Sequence, residues 1–288
     1  MNNLCSENEI RALLERYGFR FSKSMGQNFL IAPWVPKRMA GESLSDKNSF
    51  VLEIGPGIGC LTRELSAAAG SVAAVEMDRR LPALLDETLK GCSNVEIITG
   101  DILALDIKTL VEQRTGILTP RVCANLPYNI TTPILTALIG ADCFETITVM
   151  VQREVAKRIC TRPGSAECGA FTVYVNYFTE PEELFDVPPD CFMPRPKVTS
   201  TAIRLKTRKE PPVQVRSEKI FFDVVRASFA QRRKTLVNGL TSAYGNLIGK
   251  NDLISLVKSC GLDERVRGET LDLKAFALIA DALAGEID

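Results

Sequence analysis

The chain has 288 residues, 45% hydrophobic and 24% charged, with 35 basic side chains balancing 35 acidic ones. This is an ordinary water-soluble globular composition; no apolar run approaches the ~20 residues of a membrane span, and a net charge of zero excludes a uniformly basic nucleic-acid binder. Histidine is absent, which excludes a Ser-His-Asp triad and histidine metal sites and removes the commonest general base near neutral pH.

The N-terminus lacks the basic start and apolar core of a secretion signal. Glu7 to Tyr17 has helical spacing of Ile10, Leu13 and Leu14, with Ser6 as N-cap. Lys23 to Leu30 is polar and contains glycine, and reads as a loop. Ser49–Ile54 reads as a buried parallel strand followed by Gly55, Gly57 and Gly59, and Leu61 to Ala69 as a helix stopped by Gly70. Val72–Glu76 and Val95–Asp101 are strands that each end in an acid, with a helix from about Arg80 to Leu89 between them. Arg121–Asn125 and Thr146–Val151 are further strands. Strands alternating with helices at this spacing predict an α/β fold, a doubly wound, Rossmann-like parallel sheet with ligands beyond the carboxyl ends of its strands.

From Ala170 the texture changes. Phe171–Tyr177 and Ser200–Leu205 read as later strands, separated by the proline-rich Pro188–Pro196. Lys209-Glu210-Pro211-Pro212 marks a break, so a sheet domain over 1–208 and a small helical domain over 209–288 are expected. The latter has helices over Glu218–Phe229, Lys234–Leu240, Asn251–Ser259 and Asp272–Ala284. After Ser200 there are 15 basic residues against 11 acidic ones. Nine cysteines occur without a Cys-x-x-Cys pair, the pattern of reduced thiols in a cytoplasmic protein without a metal site.

The glycine spacing places Cys60 where the dinucleotide fingerprint has its last glycine, which disfavours a nicotinamide cofactor; a tight turn with no ligand is the other reading. Glu76 stands where an acid can accept both ribose hydroxyls. Asp101 can accept from an adenine amino group, with Ile102 packing on the ring. No Lys or Arg phosphate clamp is evident, which fits S-adenosylmethionine. Asn125-Leu126-Pro127-Tyr128 offers an amide oxygen, a backbone carbonyl and an aromatic face to a planar exocyclic amine, or else is a simple strand-end turn. Transfer from a sulfonium needs no strong base, only an amine held in line with its lone pair drawn out of the ring plane.

These segments resemble the ribosomal RNA adenine N6-dimethyltransferases, most closely the small-subunit (16S) branch. The resemblance rests on Gly26–Leu30, Glu53–Gly59, Glu76-Met77-Asp78, Gly100-Asp101, Asn125–Ile130, Gln152–Ala156, Phe192–Ser200 and the Arg232–Leu236 tail, and covers nearly the whole chain. It implies cofactor contacts at Asn28, Leu30, Gly55, Glu76, Asp101 and Asn125, beside which Gln27, Gly57, Met77 and Ile102 are further cofactor-site candidates. It implies target-base contacts at Asn125, Leu126, Pro127 and Tyr128, with Phe192 closing the other face of the adenine. The implied reaction is dimethylation of two adjacent adenines near the 3′ end of 16S rRNA in a partly assembled small subunit, by a monomer needing neither metal nor membrane. For RNA contact the expectation falls on Arg153, Arg158, Arg232, Arg233 and Lys234. The alternatives are the sister reaction on large-subunit (23S) rRNA, which confers antibiotic resistance, and a non-catalytic ribosome assembly factor.

Overall fold

The computed structural model describes residue 4 and residues 6–21, 26–231 and 233–287. In chain order the elements are α1 (Glu7–Arg16), β1 (Phe29–Leu30), α2 (Trp34–Glu42), β2 (Ser49–Ile54), α3 (Cys60–Ala68), β3 (Ser71–Glu76), α4 (Pro82–Thr88), β4 (Val95–Thr99), α5 (Ile107–Thr115), β5 (Thr119–Asn125), α6 (Thr131–Gly140) and β6 (Thr146–Gln152). There follow α7 (Arg153–Cys160), α8 (Ala170–Phe178), β7 (Thr179–Val187), β8 (Phe192–Met193), β9 (Ser200–Thr207), α9 (Glu218–Phe229), α10 (Leu236–Tyr244), α11 (Lys250–Ser259) and α12 (Leu273–Ile287). The chain gathers into two compact units, residues 1–156 with 181–207, and residues 157–180 with 208–288.

The first unit is built on a seven-stranded sheet of order β4-β3-β2-β5-β6-β9-β7. Strands β4, β3, β2, β5 and β6 pair in parallel, and β9 runs antiparallel to β6. All six residues of β2 are buried, as expected of an inner strand covered on both faces. Chain order reverses at β2: β3 and β4 lie to one side, and β5 and β6 to the other. The apolar face of α1 (Ile10, Leu13, Leu14) packs with Phe19, Phe29, Ile58, Leu81, Leu84 and Leu85 near the glycine turn.

Three elements differ from the sequence reading. Phe29–Leu30, expected at the end of a loop, is strand β1, paired antiparallel with β8. Phe171–Tyr177 lies within helix α8, not a strand. Phe171, Tyr174 and Phe178 recur at helical spacing, their rings 6.1 and 5.1 Å apart in sequence order, and β-propensity yields to this packing. Strand β7 is unexpected because Glu180, Pro181, Glu182 and Glu183 are poor strand formers, but it lies at the end of the sheet order, where charge and proline are tolerated.

The second unit is helical, with Val173, Tyr177, Phe221, Val224, Leu236, Leu240, Leu253, Phe276 and Leu283 in one core. Tyr177 packs 5.0 Å from Phe221 and its hydroxyl donates to Glu218 Oε1 at 3.0 Å. Phe221 is fully buried, so Phe221→Ala is expected to cost about 3–5 kcal/mol, measured as the shift in urea unfolding of the full chain.

Candidate active site

A cavity of ≈ 250 Å³ opens beyond the carboxyl ends of the parallel strands. Its wall takes Glu53 and Ile54 from β2, Val75 and Glu76 from β3, Gly100 and Asp101 after β4, and Asn125 from β5. This is the reversal point of the strand order, where open α/β sheets bind their ligands.

The turn after β2 depends on glycine. Gly55, Gly57 and Gly59 have φ of 68°, 58° and 90°, which side chains adopt only with strain. A Cβ on Gly57 would also meet Phe29 Cδ1 at 3.0 Å, whereas one on Gly55 would meet nothing within 4 Å. Gly59 then starts α3.

Glu76 is buried. Its Oε1 accepts from the Asp78 N–H at 2.8 Å and its Oε2 from the Gly57 N–H at 3.3 Å, so one carboxylate joins the end of β3 to the glycine turn. Burial raises its pKa despite these bonds. Asp101 Oδ1 accepts from the Leu103 N–H at 3.0 Å, capping the 3-10 turn Ile102–Ala104. Ile102 is buried beside it, and Met77 is exposed at the rim.

The opposite wall comes from residues 26–30. Gln27 Nε2 donates to Asp78 Oδ2 at 2.8 Å. The Arg80 guanidinium donates to both oxygens of the same carboxylate, at 2.9 and 2.6 Å, and holds its pKa down at about 2. Asn125 Nδ2 donates to the backbone carbonyl of Asn28 at 3.1 Å. That bond fixes which way the Asn125 amide faces and leaves Oδ1 as its acceptor. The Pro127 carbonyl accepts from the Ile130 N–H at 3.3 Å and from the Thr131 hydroxyl at 3.1 Å. The hydroxyl of Tyr128 lies 2.6 Å from Ser200 Oγ.

Gln27, Asn28, Leu30, Gly55, Gly57, Glu76, Met77, Asp101, Ile102, Asn125, Leu126, Pro127 and Tyr128 therefore line one cavity. Phe192 does not. It pairs with Leu30 across β8 and β1 and is only 2% exposed, in a core with Val35, Met39 and Phe185, because its strand serves as the partner of the cavity wall. Arg153 and Arg158 are exposed on α7, Arg153 facing Asp186 at 3.7 Å. Arg233 and Lys234 are exposed before α10. Arg232 and Lys23–Met25 lie outside the described residues. Among the described residues no helix is long and apolar enough to cross a membrane, and no group of three or more acidic or cysteine side chains is placed to hold a metal.

Two contributors had no role in the sequence reading. Asp78 joins Gln27 to Arg80, and its signal was the short Glu76-Met77-Asp78 spacing. Glu53 is an acid within the apolar run Phe50–Ile54, which marks it as unusual; it is 1% exposed, and its Oε2 has no hydrogen-bond partner.

Residues 18–273 match the family model described as ribosomal RNA adenine dimethylase. The chain is 44% identical over 273 residues to the ribosomal RNA small subunit methyltransferase A of Lachnoclostridium phytofermentans, covering 94% of each chain. It is 42% identical over 285 residues to the protein of that name in Geobacillus kaustophilus, covering 98% of this chain and 97% of the relative. Among solved structures, the 23S rRNA methyltransferase ErmE superposes with a TM-score of 0.67 at 25% identity, over 89% of this chain and 99% of ErmE. A dimethyladenosine transferase from Plasmodium falciparum shares the fold, with a TM-score of 0.73 at 22% identity, over 90% and 98% of the two chains.

Glu53 generates a pH prediction. Burial raises its pKa from 4.5 to about 8, so the folded protein keeps a proton that the unfolded chain releases. Its contribution to stability is full below 4.5 and is lost as the pH rises towards about 8, by on the order of a few kcal/mol. In urea titrations across this range, Glu53→Gln is expected to lose less stability than the wild type as the pH rises; parallel profiles would refute the assignment.

Proposed function

The chain belongs to the ribosomal RNA adenine dimethylase family, and on that premise we propose that it transfers methyl groups from S-adenosylmethionine to N6 of two adjacent adenines near the 3′ end of 16S rRNA. The substrate is the assembling small subunit in the cytoplasm, and the reaction contributes to ribosome biogenesis. The observation that carries the reading is the Asn125 amide, anchored through its nitrogen to Asn28 so that its oxygen serves as acceptor in the cavity.

The cavity fits the cofactor. No Lys or Arg lines it, in keeping with a ligand without phosphates, and the open space at Gly55 admits a ligand close to backbone. Glu76 would accept from the ribose hydroxyls, Asp101 from the adenine amine against Ile102, and Gln27, Asn28, Leu30, Gly57 and Met77 would complete the enclosure. When bound, the sulfonium supplies an activated methyl group, and no imidazole is required. The protein's task is to hold the target amine. Asn125 Oδ1 accepts one N–H of the adenine. With the Pro127 carbonyl already accepting twice, the Leu126 carbonyl takes the other. Two acceptors outside the ring plane draw the nitrogen lone pair out of conjugation and aim it at the methyl. Tyr128 offers a stacking face to a base taken out of its helix. After the first transfer N6 sheds one proton to water and one N–H remains, enough for a single acceptor to orient the second round.

Sequence distance favours the small subunit. The relatives named for it are 42–44% identical across nearly the whole chain, against 25% for ErmE. We assign RNA phosphate contact to exposed Arg153 and Arg158 on α7 and to Arg233 and Lys234, with the helical unit as a ribosome-contacting region; such contacts are salt-sensitive and sequence-independent.

Labelled methyl groups offered to purified unmethylated small and large subunits are expected to appear as dimethyladenosine in small-subunit RNA alone. Label confined to the large subunit would overturn the reading. Asn125→Ala is expected to lower transfer about 10²-fold while cofactor binding is partly kept. Glu76→Ala is expected to weaken cofactor binding by about 10–100-fold in calorimetry.

A further inference from the structure

A stacking face works only if its plane is fixed, and the local backbone does little to fix that of Tyr128. The residue stands in the 3-10 turn Tyr128–Ile130, a short element with weaker hydrogen-bond geometry than an α-helix, and the torsion that rotates an aromatic ring is broad. The tie comes from the sheet. Ser200, fully buried, is the first residue of β9 and pairs with Gln152 at the end of β6. The next carbonyl upstream, Thr199 O, accepts from the Arg153 N–H at 3.0 Å, so Ser200 sits where the backbone is held on both sides. Its Oγ lies 2.6 Å from the Tyr128 hydroxyl, within the range of a good O–H···O bond.

We propose that Ser200 is a positioning residue for methyl transfer: by bonding the Tyr128 hydroxyl it fixes the plane of the ring against which the target base stacks. The inference rests on the assignment of Tyr128 as the stacking face. Burial raises the Tyr128 pKa, so the phenol keeps its proton near neutrality and the bond is present whichever oxygen donates. A buried phenol also needs a partner for its own sake. Removing the hydroxyl alone separates the two roles, since only a positioning bond governs the rate of transfer.

The test uses the full chain, small subunits as substrate, and the variants Tyr128→Phe, Ser200→Ala and the pair combined. Tyr128→Phe keeps the ring and loses only the tie. Each single variant is expected to lower kcat about tenfold with calorimetric cofactor affinity unchanged. The double variant is expected to fall no further than either single, because both remove one bond. Ser200→Thr, which keeps a hydroxyl, is expected to restore most of the rate. Wild-type turnover in Tyr128→Phe, or losses that multiply in the double variant, would overturn the proposal. Should Ser200→Ala fail to fold, Tyr128→Phe and Ser200→Thr still decide it. A wild-type protein that labels neither subunit overturns the functional reading and this inference with it, a result distinct from an active wild type matched by Tyr128→Phe.

Discussion

Strand β2 is buried along its whole length with parallel neighbours on both sides, and the site depends on that constraint. A strand covered on both faces has no freedom to slip, because a shift of one residue would turn every side chain to the opposite face. With β2 fixed, β3 and β5 are fixed in register against it: Glu53 lies opposite Ala74, and Leu52 opposite Val122. Their carboxyl ends, which carry Glu76 and Asn125, therefore finish at a defined level. The left-handed glycine turn begins at the same place, so at Gly55 and Gly57 the cavity wall is backbone without side chains. The chemistry is arranged by the sheet before any loop is considered.

The loops are then attached to that frame by polar side chains. Glu76 joins strand end to glycine turn, Asp78 joins the same strand end to Gln27 and Arg80, and Asn125 joins β5 to Asn28. Each is an acceptor or amide near the cavity, where water is partly excluded and a charge-assisted bond is stronger than at the surface. The two carboxylates, two residues apart, show how environment separates like groups. Both are buried, but Glu76, met by backbone amides, has its pKa raised by burial, whereas Asp78, bonded by the Arg80 guanidinium, has its pKa lowered. A histidine-free chain thus retains a site with distinct electrostatic roles.

Much of this was legible in the sequence because the signals were local. Apolar strands ending in Glu76, Asp101 and Asn125, and glycines at alternate positions after β2, identify both fold and cavity wall without tertiary information. Long-range packing was not legible. Phe171–Tyr177 has strand-like composition but forms helix, and beside its local ring contacts Tyr174 and Tyr177 lie 5.5 and 5.0 Å from Phe222 and Phe221 of α9, far along the chain. Phe192 has the character of a base-stacking residue, yet pairing with β1 places it in the core. The bond between Tyr128 and Ser200 joins residues 72 apart in sequence, and no spacing rule relates them. Charge patterning identified exposed cations but carries no information on where they meet a partner.

The Asn28 carbonyl that anchors Asn125 is a backbone atom. Replacing the Asn28 side chain leaves that acceptor in the chain, so a conventional alanine scan is blind to the contact that orients the Asn125 amide. What the contact does sense is chain length. An extra residue between Asn28 and Phe29, whose register against β8 is fixed, would carry a different carbonyl to the end of β5, or none. The N-terminal wall is therefore constrained as a ruler is, by spacing more than by spelling, and its evolution should tolerate exchanged letters better than insertions or deletions.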